Sequence, residues 1–596
     1  MASIYRRRRR RSRLWVPVAV GVVGLALVGG SIAGIMFLLD YIPGLRHESV
    51  FTYHPSLSRS GINIILNDEI LTGYDTSPPV IQDDGQVLLP VDFIMEHLEP
   101  DGSPGQRTFW DQGPNVIITT YTQVRRFTVG QLEYTNNDTP ATLEEPFTLI
   151  NNMVYVPQAF AEREYNIRLS FYEDYLIVAV DDAGEEALHA AAIEDTRLRG
   201  RPESRSPYMY EIPMGDTLRL LDIEDGGDFW RVRAQNGIMG YVEAEHLGQP
   251  VSTAAITPEP EPSLLYRKPP LQYPIIMLWD ILHNHANRGA WSVADEVTVM
   301  SPTWFSFLEG YEDQGIIRDV GNREYVDYAH ANGRQVWALI TDNFSSAVAH
   351  AVLANTDVRR FVVEQLIELA EYYNLDGINI DYEAVTPPDA PYFIQFLREL
   401  RPPLHERGVW LSAALFVPRY TRFMNRTEIA QAVDYIQVMT YDEHWSGSPN
   451  TGPVASLSFV QEGIVETMSE MPASMIMMGL PFYNRIWREV TEPDGSTHHT
   501  IRNMGMNYTR NFFEQGGATF TWLPEVGSYF AEFPDPADPN AVFRVWLEDA
   551  RSIGAKLEMA RQYNLPGVAA WRGGLESAQT WDVIADYIEA FNAGGP

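Results

Sequence analysis

Residues 376–383 read Asp-Gly-Ile-Asn-Ile-Asp-Tyr-Glu, an apolar run in which a polar side chain recurs at every second position from Asn379 onward. Successive side chains on a strand point to opposite faces, so Asn379, Asp381 and Glu383 are predicted to share one face. Polar groups stacked on one face of a buried strand are costly unless they are hydrogen-bonded or functional. A solvated surface strand would not explain the isoleucines between them. The segment therefore predicts a buried strand that carries a functional site.

Asp381 and Glu383 should titrate at well-separated pKa values, because two neighbouring carboxylates resist carrying two negative charges. One of the two is then protonated near neutral pH. Glu383 is the last of the polar residues and so the nearest to the end of the strand. We interpret it as a proton donor.

The C-terminal part of the chain, residues 264–596, alternates short apolar runs with segments of helical pattern, such as Asp357–Tyr373. Eight such alternations predict an α/β fold, a parallel (β/α)8 TIM barrel with insertions. In this fold the chemistry lies at the C-terminal ends of the strands, which is where Glu383 falls. The predicted strands are Pro274–Trp279, Glu296–Met300, Gln335–Ile340, Gly377–Ile380, Val409–Leu415, Tyr435–Met439, Met475–Gly479 and Val568–Ala570.

The polar strand resembles the active-site strand of glycoside hydrolase family 18, whose signature is D-x-x-D-x-D-x-E. Asp376, Asp381 and Glu383 match this signature, and Asn379 departs from it because most members have Asp there. The form DGxNIDxE is similar to that of spore and cell-wall N-acetylglucosaminidases. The departure removes one carboxylate and is expected to alter how Asp381 shares its proton.

Three further segments carry the same resemblance in the family's order. YIQVMTYDEHW at 435–445 resembles its M-x-Y-D strand. GLPFYNRIW at 479–487 resembles its seventh strand, with Asn484 in place of the usual glycine. Residues 545–576 resemble its closing helix and eighth strand.

The resemblance implies substrate-assisted retaining catalysis, for which this family is known among glycosidases. Glu383 would be the general acid and then the base, and Asp381 would orient the acetamido nitrogen of the substrate and stabilise its developing charge. Tyr441 would hydrogen-bond the acetamido carbonyl oxygen. Asp442 would contact the sugar, and Trp571 would stack under the sugar ring.

The remaining residues of the matched motifs are expected to take part in substrate binding: Asp376, Asn379 and Met439. The resemblance implies neither a cofactor nor a metal. Sugar stacking and core packing both remain open for three further tryptophans: Trp304, Trp445 and Trp487.

Two small β-rich domains are predicted before the barrel. Residues 61–182 resemble the copper amine oxidase N-terminal domain, with paired LLPVDFI and VYVPQAF segments. No histidine cluster supports copper, so we interpret the module as a spacer or a wall-associated unit. Residues 190–249 resemble a bacterial SH3 domain, in which Trp230 has either a core or a ligand-binding role. Residues 251–263 form a Pro-rich linker.

The chain has 44 basic and 79 acidic residues, a formal net charge of -35 and no cysteine. This charge disfavours a nucleic-acid partner. The lack of cysteine excludes disulfide scaffolds and thiolate metal sites.

Seven arginines occupy the first thirteen residues, and residues 14–39 follow without a charge. A membrane helix needs about 20 apolar residues, and positively charged flanks stay cytoplasmic. We therefore expect a basic cytoplasmic tail at 1–13 and a transmembrane anchor at 14–39, in a single-pass protein of the bacterial cell membrane. The catalytic domain would then be extracellular. A signal peptide cleaved near Ala33 is the alternative, although the apolar run continues beyond it.

The sequence thus predicts a membrane-anchored extracellular glycosidase that cleaves β-1,4 bonds at N-acetylglucosamine residues. Peptidoglycan is the expected polymer, because a tethered enzyme gains little from free chitin. Two alternatives remain, a chitinase acting on chitin oligomers and a catalytically silent, lectin-like carbohydrate-binding protein. A scaffold in an envelope complex is a third role. Retention of Glu383, Asp381 and Tyr441 favours the enzyme.

Overall fold

The computed structural model describes residues 30–31, 43–73, 76–99, 105–223, 227–256, 268–282 and 293–594. The predicted tail (1–13), nearly all of the predicted anchor (14–39) and part of the predicted linker (251–263) lie outside these residues. Within the described ranges, no helix has the length and apolar character needed to cross a membrane. The chain divides into two compact units, residues 1–98 with 147–259 and residues 99–146 with 260–596.

The first unit is β-rich, as its alternating sequence predicts. One four-stranded sheet has the order Ile167–Tyr172, Ile177–Asp182, Asn63–Leu66, Glu69–Ile70. A second has the order Thr148–Ile150, Met153–Pro157, Val87–Pro90, Val80–Ile81, and the helices Val91–Phe93 and Gln158–Tyr165 each follow a strand that ends in proline. A seven-stranded sheet has the order Tyr208–Ile212, Thr196–Arg199, Met239–Glu243, Phe229–Arg233, Thr217–Asp222, Ala187–Ala191, Val251–Thr253. The SH3 resemblance of 190–249 stays a prediction.

The second unit contains a closed barrel of eight parallel strands, which confirms the predicted fold. The first strand pairs with both the second and the eighth, so that the eight strands close into a barrel. The strands are β1 Ile275–Asp280, β2 Val299–Phe307, β3 Gln335–Thr341, β4 Gly377–Asp381, β5 Trp410–Phe416, β6 Tyr435–Met439, β7 Ile476–Pro481 and β8 Gly567–Trp571.

Helices cover the outside of the barrel and bury the apolar face of each strand. Ile378 and Ile380 of β4 are fully buried in the core between sheet and helices, and Tyr382 stacks on Phe396 with ring centroids 5.7 Å apart. The predicted alternation along β4 is therefore confirmed. The helices are Arg323–Ala331, Ser346–Ala354, Thr356–Tyr373, Ala390–Glu406, Arg426–Ala432, Leu457–Met468, Ala550–Gln562 and Ala578–Gly594.

A five-stranded antiparallel meander packs on the barrel helices, although its sequence falls inside the predicted module at 61–182. Arg126 donates to Glu399 at 2.5 Å, and Arg107 donates to Glu428 at 3.0 Å. These ion pairs explain why residues 99–146 belong to the barrel's unit. The strands are Arg107–Trp110, Asn115–Thr119, Val124–Thr128, Glu133–Asn136 and Thr139–Thr142.

A second antiparallel sheet is inserted between β7 and β8. Its strands follow the order Thr497–Gly505, Tyr483–Thr491, Ala541–Leu547, Ser528–Pro534, Thr521–Leu523, and the helix Met506–Gln515 packs on it. Because Tyr483 begins two residues after β7 ends, this sheet brings its first residues to the C-terminal end of the barrel.

Candidate active site

A cavity of about 330 Å³ lies at the C-terminal ends of the barrel strands. Asp381 is the last residue of β4, and Glu383 follows it by two positions on the same face. Tyr441 follows β6 by two positions and Trp571 ends β8, so four separate predictions meet in one cavity. The cavity is lined by Trp279, Phe344, Asp381, Glu383, Phe416, Met439, Tyr441, Asp442, Tyr483, Arg485, Asn503, Trp571, Arg572 and Leu575.

Two of the cavity's carboxyl groups, those of Glu383 and Asp381, have raised pKa values. Burial, with Asp442 and Asp342 nearby, raises the pKa of Glu383 to about 7. Burial, with the negative charges of Glu383 and Asp342, raises the pKa of Asp381 well above its ordinary value. Glu383 therefore carries a proton over much of the neutral range and can donate it, as the sequence predicts.

Tyr441 and Asp442, which follow β6, line the cavity together with the carboxyl pair. Burial, together with Asp381 and Glu383, raises the pKa of Tyr441 well above its ordinary value, so its hydroxyl remains a hydrogen-bond donor. Asp442 accepts hydrogen bonds from Tyr483 and, at 2.7 Å, from Arg485. It has a positive φ of 62°, a region that Asp tolerates better than most residues.

Two tryptophans form an apolar surface in the cavity. Trp571 lies 5.8 Å from the buried Trp279, ring centroid to centroid, at an interplanar angle of 63°. Trp279 donates its indole N–H to Asn379 at 3.0 Å, which fixes the orientation of its ring. The partly exposed face of Trp571 is available for stacking on a sugar ring.

Two of the expected substrate-binding residues do not reach the cavity. Asp376 precedes β4 and so lies at the opposite end of the barrel, where it accepts hydrogen bonds from the Val336 N–H and from His330, both at 2.8 Å. Asp376 is not among the residues that line the cavity, and its predicted contact with substrate is therefore corrected.

Asn379 lies one layer below Asp381 and is fully buried, so it does not line the cavity either. The prediction that Asn379 contacts the substrate directly is likewise corrected, because its side chain is occupied by hydrogen bonds within the barrel. Of the three tryptophans left open, Trp304 and Trp487 are buried in the core, whereas Trp445 is 53% exposed.

Sequence reasoning missed part of the lining. Tyr483, Arg485 and Asn503 belong to the inserted sheet, and the first two lie within the GLPFYNRIW segment whose polar residues carried a usable signal. Phe344 and Phe416 come from the ends of β3 and β5. No local pattern distinguishes them from core aromatics.

Two family models match parts of the chain. Residues 327–575 match the model described as Glycosyl hydrolases family 18, and residues 67–179 match that of the Copper amine oxidase N-terminal domain. An uncharacterized glycosylase, YvbX, of Bacillus subtilis (strain 168) is 28% identical over 291 residues, which are 46% of this chain and 81% of the relative.

The cortical fragment-lytic enzyme of the same organism is 29% identical over 250 residues, 41% of this chain and 57% of the relative. The crystal structure of the Bacillus megaterium QM B1551 spore cortex-lytic enzyme SleL shares 21% identity, with a TM-score of 0.47, and the match covers 57% of this chain and 77% of that one. The chain thus spans just over half the length of the cortical fragment-lytic relative. It carries a domain of glycosyl hydrolase family 18, matched over residues 327–575 of the (β/α)8 barrel, and, earlier in the sequence, a copper amine oxidase N-terminal domain.

Proposed function

We propose that the barrel hydrolyses β-1,4 bonds at N-acetylglucosamine residues, with retention of configuration and with the substrate's own acetamido group as the nucleophile. The observation that carries this proposal is the cavity in which Glu383, with a pKa raised to about 7, lies beside Asp381 and Tyr441. Glu383 lies beyond the end of β4 and, with its raised pKa, has the properties of the single proton donor that substrate assistance requires.

The proposed reaction assigns one task to each side chain. Glu383 donates its proton to the leaving glycosidic oxygen, while the acetamido carbonyl oxygen attacks the anomeric carbon and forms an oxazolinium ion. The Tyr441 hydroxyl donates a hydrogen bond to that carbonyl oxygen and aligns it for attack. Asp381 accepts from the acetamido N–H and stabilises the positive charge that develops there. The Glu383 carboxylate then takes a proton from the water that opens the ring.

We further propose that the natural polymer is peptidoglycan and that the protein is held at the cell membrane, with its barrel outside. The uncharged run at 14–39 after the arginine cluster supports the anchor, and a tethered enzyme is suited to the cell's own wall. The relative named a cortical fragment-lytic enzyme favours a cell-envelope polymer over free chitin.

The test is to incubate the purified full chain with peptidoglycan and with N-acetylglucosamine oligomers, and to measure the reducing ends released. Release from peptidoglycan by the wild type, together with silence of the Glu383→Gln variant, is the expected result. Release from oligomers alone would favour a chitinase. Binding of either polymer without release by the wild type would favour a lectin and contradict the proposed hydrolysis.

A further inference from the structure

Asn379 stands where most members of the family carry a carboxylate, and its amide is fully engaged. The Trp279 indole N–H is only a donor, so it must face the carbonyl oxygen of Asn379, at 3.0 Å. The amide nitrogen then donates to Gln437 at 2.7 Å and to Ser412 at 3.0 Å. Asn379 therefore has no acidic proton to share with Asp381.

Another buried carboxylate lies at the end of the neighbouring strand. Asp342 directly follows β3, whose last residue Thr341 pairs with Asp381 in the parallel register of the barrel. Asp342 is fully buried. Its two oxygens accept from the backbone N–H groups of Ala384, at 2.8 Å, and Phe344, at 3.1 Å.

Asp342 acts on the candidate catalytic residues in two ways, through a backbone hydrogen bond and through its charge. The bond to Ala384 fixes the backbone immediately after Glu383, so the carboxylate controls where the proton donor stands. Its negative charge also acts on both Asp381 and Glu383 and contributes to the raised pKa of each. No positively charged side chain acts on Asp342 among the causes of its own raised pKa, which are burial followed by backbone hydrogen bonds.

We propose that Asp342 is a positioning residue that supplies to this site the buried carboxylate that Asn379 lacks, holding Glu383 in place through the backbone. The inference rests on the proposed glycosidase function. Asp342 would not touch the substrate. It would act through Glu383, by keeping the donor protonated at neutral pH and pointed into the cavity.

The pH at which the donor loses its proton depends on every charged group that faces it. Asp381 and Asp342 come from β4 and from the end of β3, while Asp442 and Tyr441 follow β6. Two cations also line the cavity. Arg485 is paired with Asp442, and Arg572 follows β8. Substituting Asp342 alone leaves all of these groups in place.

The experiment compares Asp342→Asn with Asp319→Asn in the full-length protein. Asp319 is a partly buried carboxylate that also accepts through both oxygens, from the Gly321 N–H at 2.7 Å and the Tyr373 hydroxyl at 2.8 Å, but it does not line the cavity. Loss of the like charge at 342 should move the alkaline limb of kcat/KM to lower pH by about one unit. It should also lower kcat by about tenfold or more through displacement of Glu383. Asp319→Asn should change the melting temperature and leave the limb in place.

A second pair of variants separates the charge of Asp342 from its structural role. Asn379→Asp leaves Asp342 and its hydrogen bonds intact and should move the alkaline limb to higher pH, because it adds a like charge below Asp381. The double variant, Asn379→Asp with Asp342→Asn, should move the limb back toward the wild type. If Asp342→Asn does not fold, the single Asn379→Asp variant still supplies the measurement.

Each outcome decides one question. An active wild type whose alkaline limb stays fixed in Asp342→Asn overturns the role of Asp342 and leaves the glycosidase intact. A limb that stays fixed in Asn379→Asp overturns the part of the proposal in which Asp342 replaces a carboxylate missing at position 379. A limb that moves equally in Asp319→Asn also overturns it, because the effect would then be one of general stability. A wild type that releases no reducing ends from either polymer contradicts the proposed function itself.

Discussion

Two carboxylates in the barrel's unit, Glu399 and Glu383, have opposite electrostatic surroundings. Glu399, on the helix Ala390–Glu406, is fully buried, and burial alone would raise its pKa, yet Arg359 and Arg126 hold the pKa below its ordinary value. Glu383 is also largely buried, but its neighbours Asp442 and Asp342 are acids, and its pKa is raised to about 7. One carboxylate is fixed as an anion, while the other is kept as an acid.

The difference shows how this chain separates stability from chemistry. Arg126 comes from the meander at 107–142, so the Glu399 pair joins that sheet to the barrel helices. No arginine is aimed at Glu383 among the causes of its pKa shift; Arg485 is instead occupied with Asp442. The cavity thus stores unfavourable electrostatics that the rest of the fold must offset.

The largest expected effect is on turnover. Glu383→Gln removes the proton donor while keeping the shape of the side chain, so kcat should fall by about 10²–10⁴-fold. The melting temperature should stay the same or rise, because a like charge leaves the cavity. Reducing-end assays and thermal unfolding measure the two quantities. A variant with near wild-type kcat would mean that another group supplies the proton.

Glu399→Ala should have the opposite effects, a loss of stability with no change in turnover. Its removal leaves the buried Arg359 and the partly buried Arg126 without their anion, which should cost about 3–5 kcal/mol in the free energy of unfolding. The kcat of the folded fraction should be unchanged. Glu364→Ala is the control, since the Glu364–Arg360 pair is exposed and should contribute at most about 1 kcal/mol. Equal losses in the free energy of unfolding of the two variants would contradict the stabilising role of the buried Glu399 pair.

The pH dependence of stability should also differ at the two positions. A folded pKa above the unfolded value of Glu383 means that the native state binds more protons, so stability is lost as pH rises from about 4.5 to about 7. Glu399, with a lowered pKa, contributes stability that is present above its unfolded pKa and lost as pH falls through its folded pKa.

Denaturant unfolding of the wild type and Glu383→Gln across this window isolates the first effect. The difference in free energy of unfolding between the two proteins should change by about 1–3 kcal/mol between pH 4.5 and pH 7.5. Glu99, whose pKa burial also raises to about 7, is present in both proteins and cancels. A difference that does not vary with pH would contradict the raised pKa.

Sequence reasoning reached the barrel and the carboxyl pair because both depend on local periodicity. The alternation along 376–383 placed Asp381 and Glu383 on one face, and the structure confirms it. It did not reach Asp342 or Arg485, which are brought to the cavity by strand pairing and by an inserted sheet. Nor did the motif show that Asp376 lies at the N-terminal end of its strand, away from the cavity, because a motif identifies residues but not their roles. The sequence also did not predict that the meander at 107–142 packs on the barrel, because its Arg–Glu contacts with the barrel helices join residues distant in sequence.

The smallest expected effect compares two acids that raise the pKa of Glu383, Asp442 and Asp342. Asp442 is the first charged neighbour that raises the pKa of Glu383, but Arg485 pairs with it and its side chain is 38% exposed. Asp442→Asn should therefore move the alkaline limb of kcat/KM to lower pH by only a few tenths of a unit, less than Asp342→Asn. The pH profile of kcat/KM on one oligomer measures both shifts. A larger shift for Asp442→Asn would mean that the exposed carboxylate, and not the buried one, sets the protonation of Glu383.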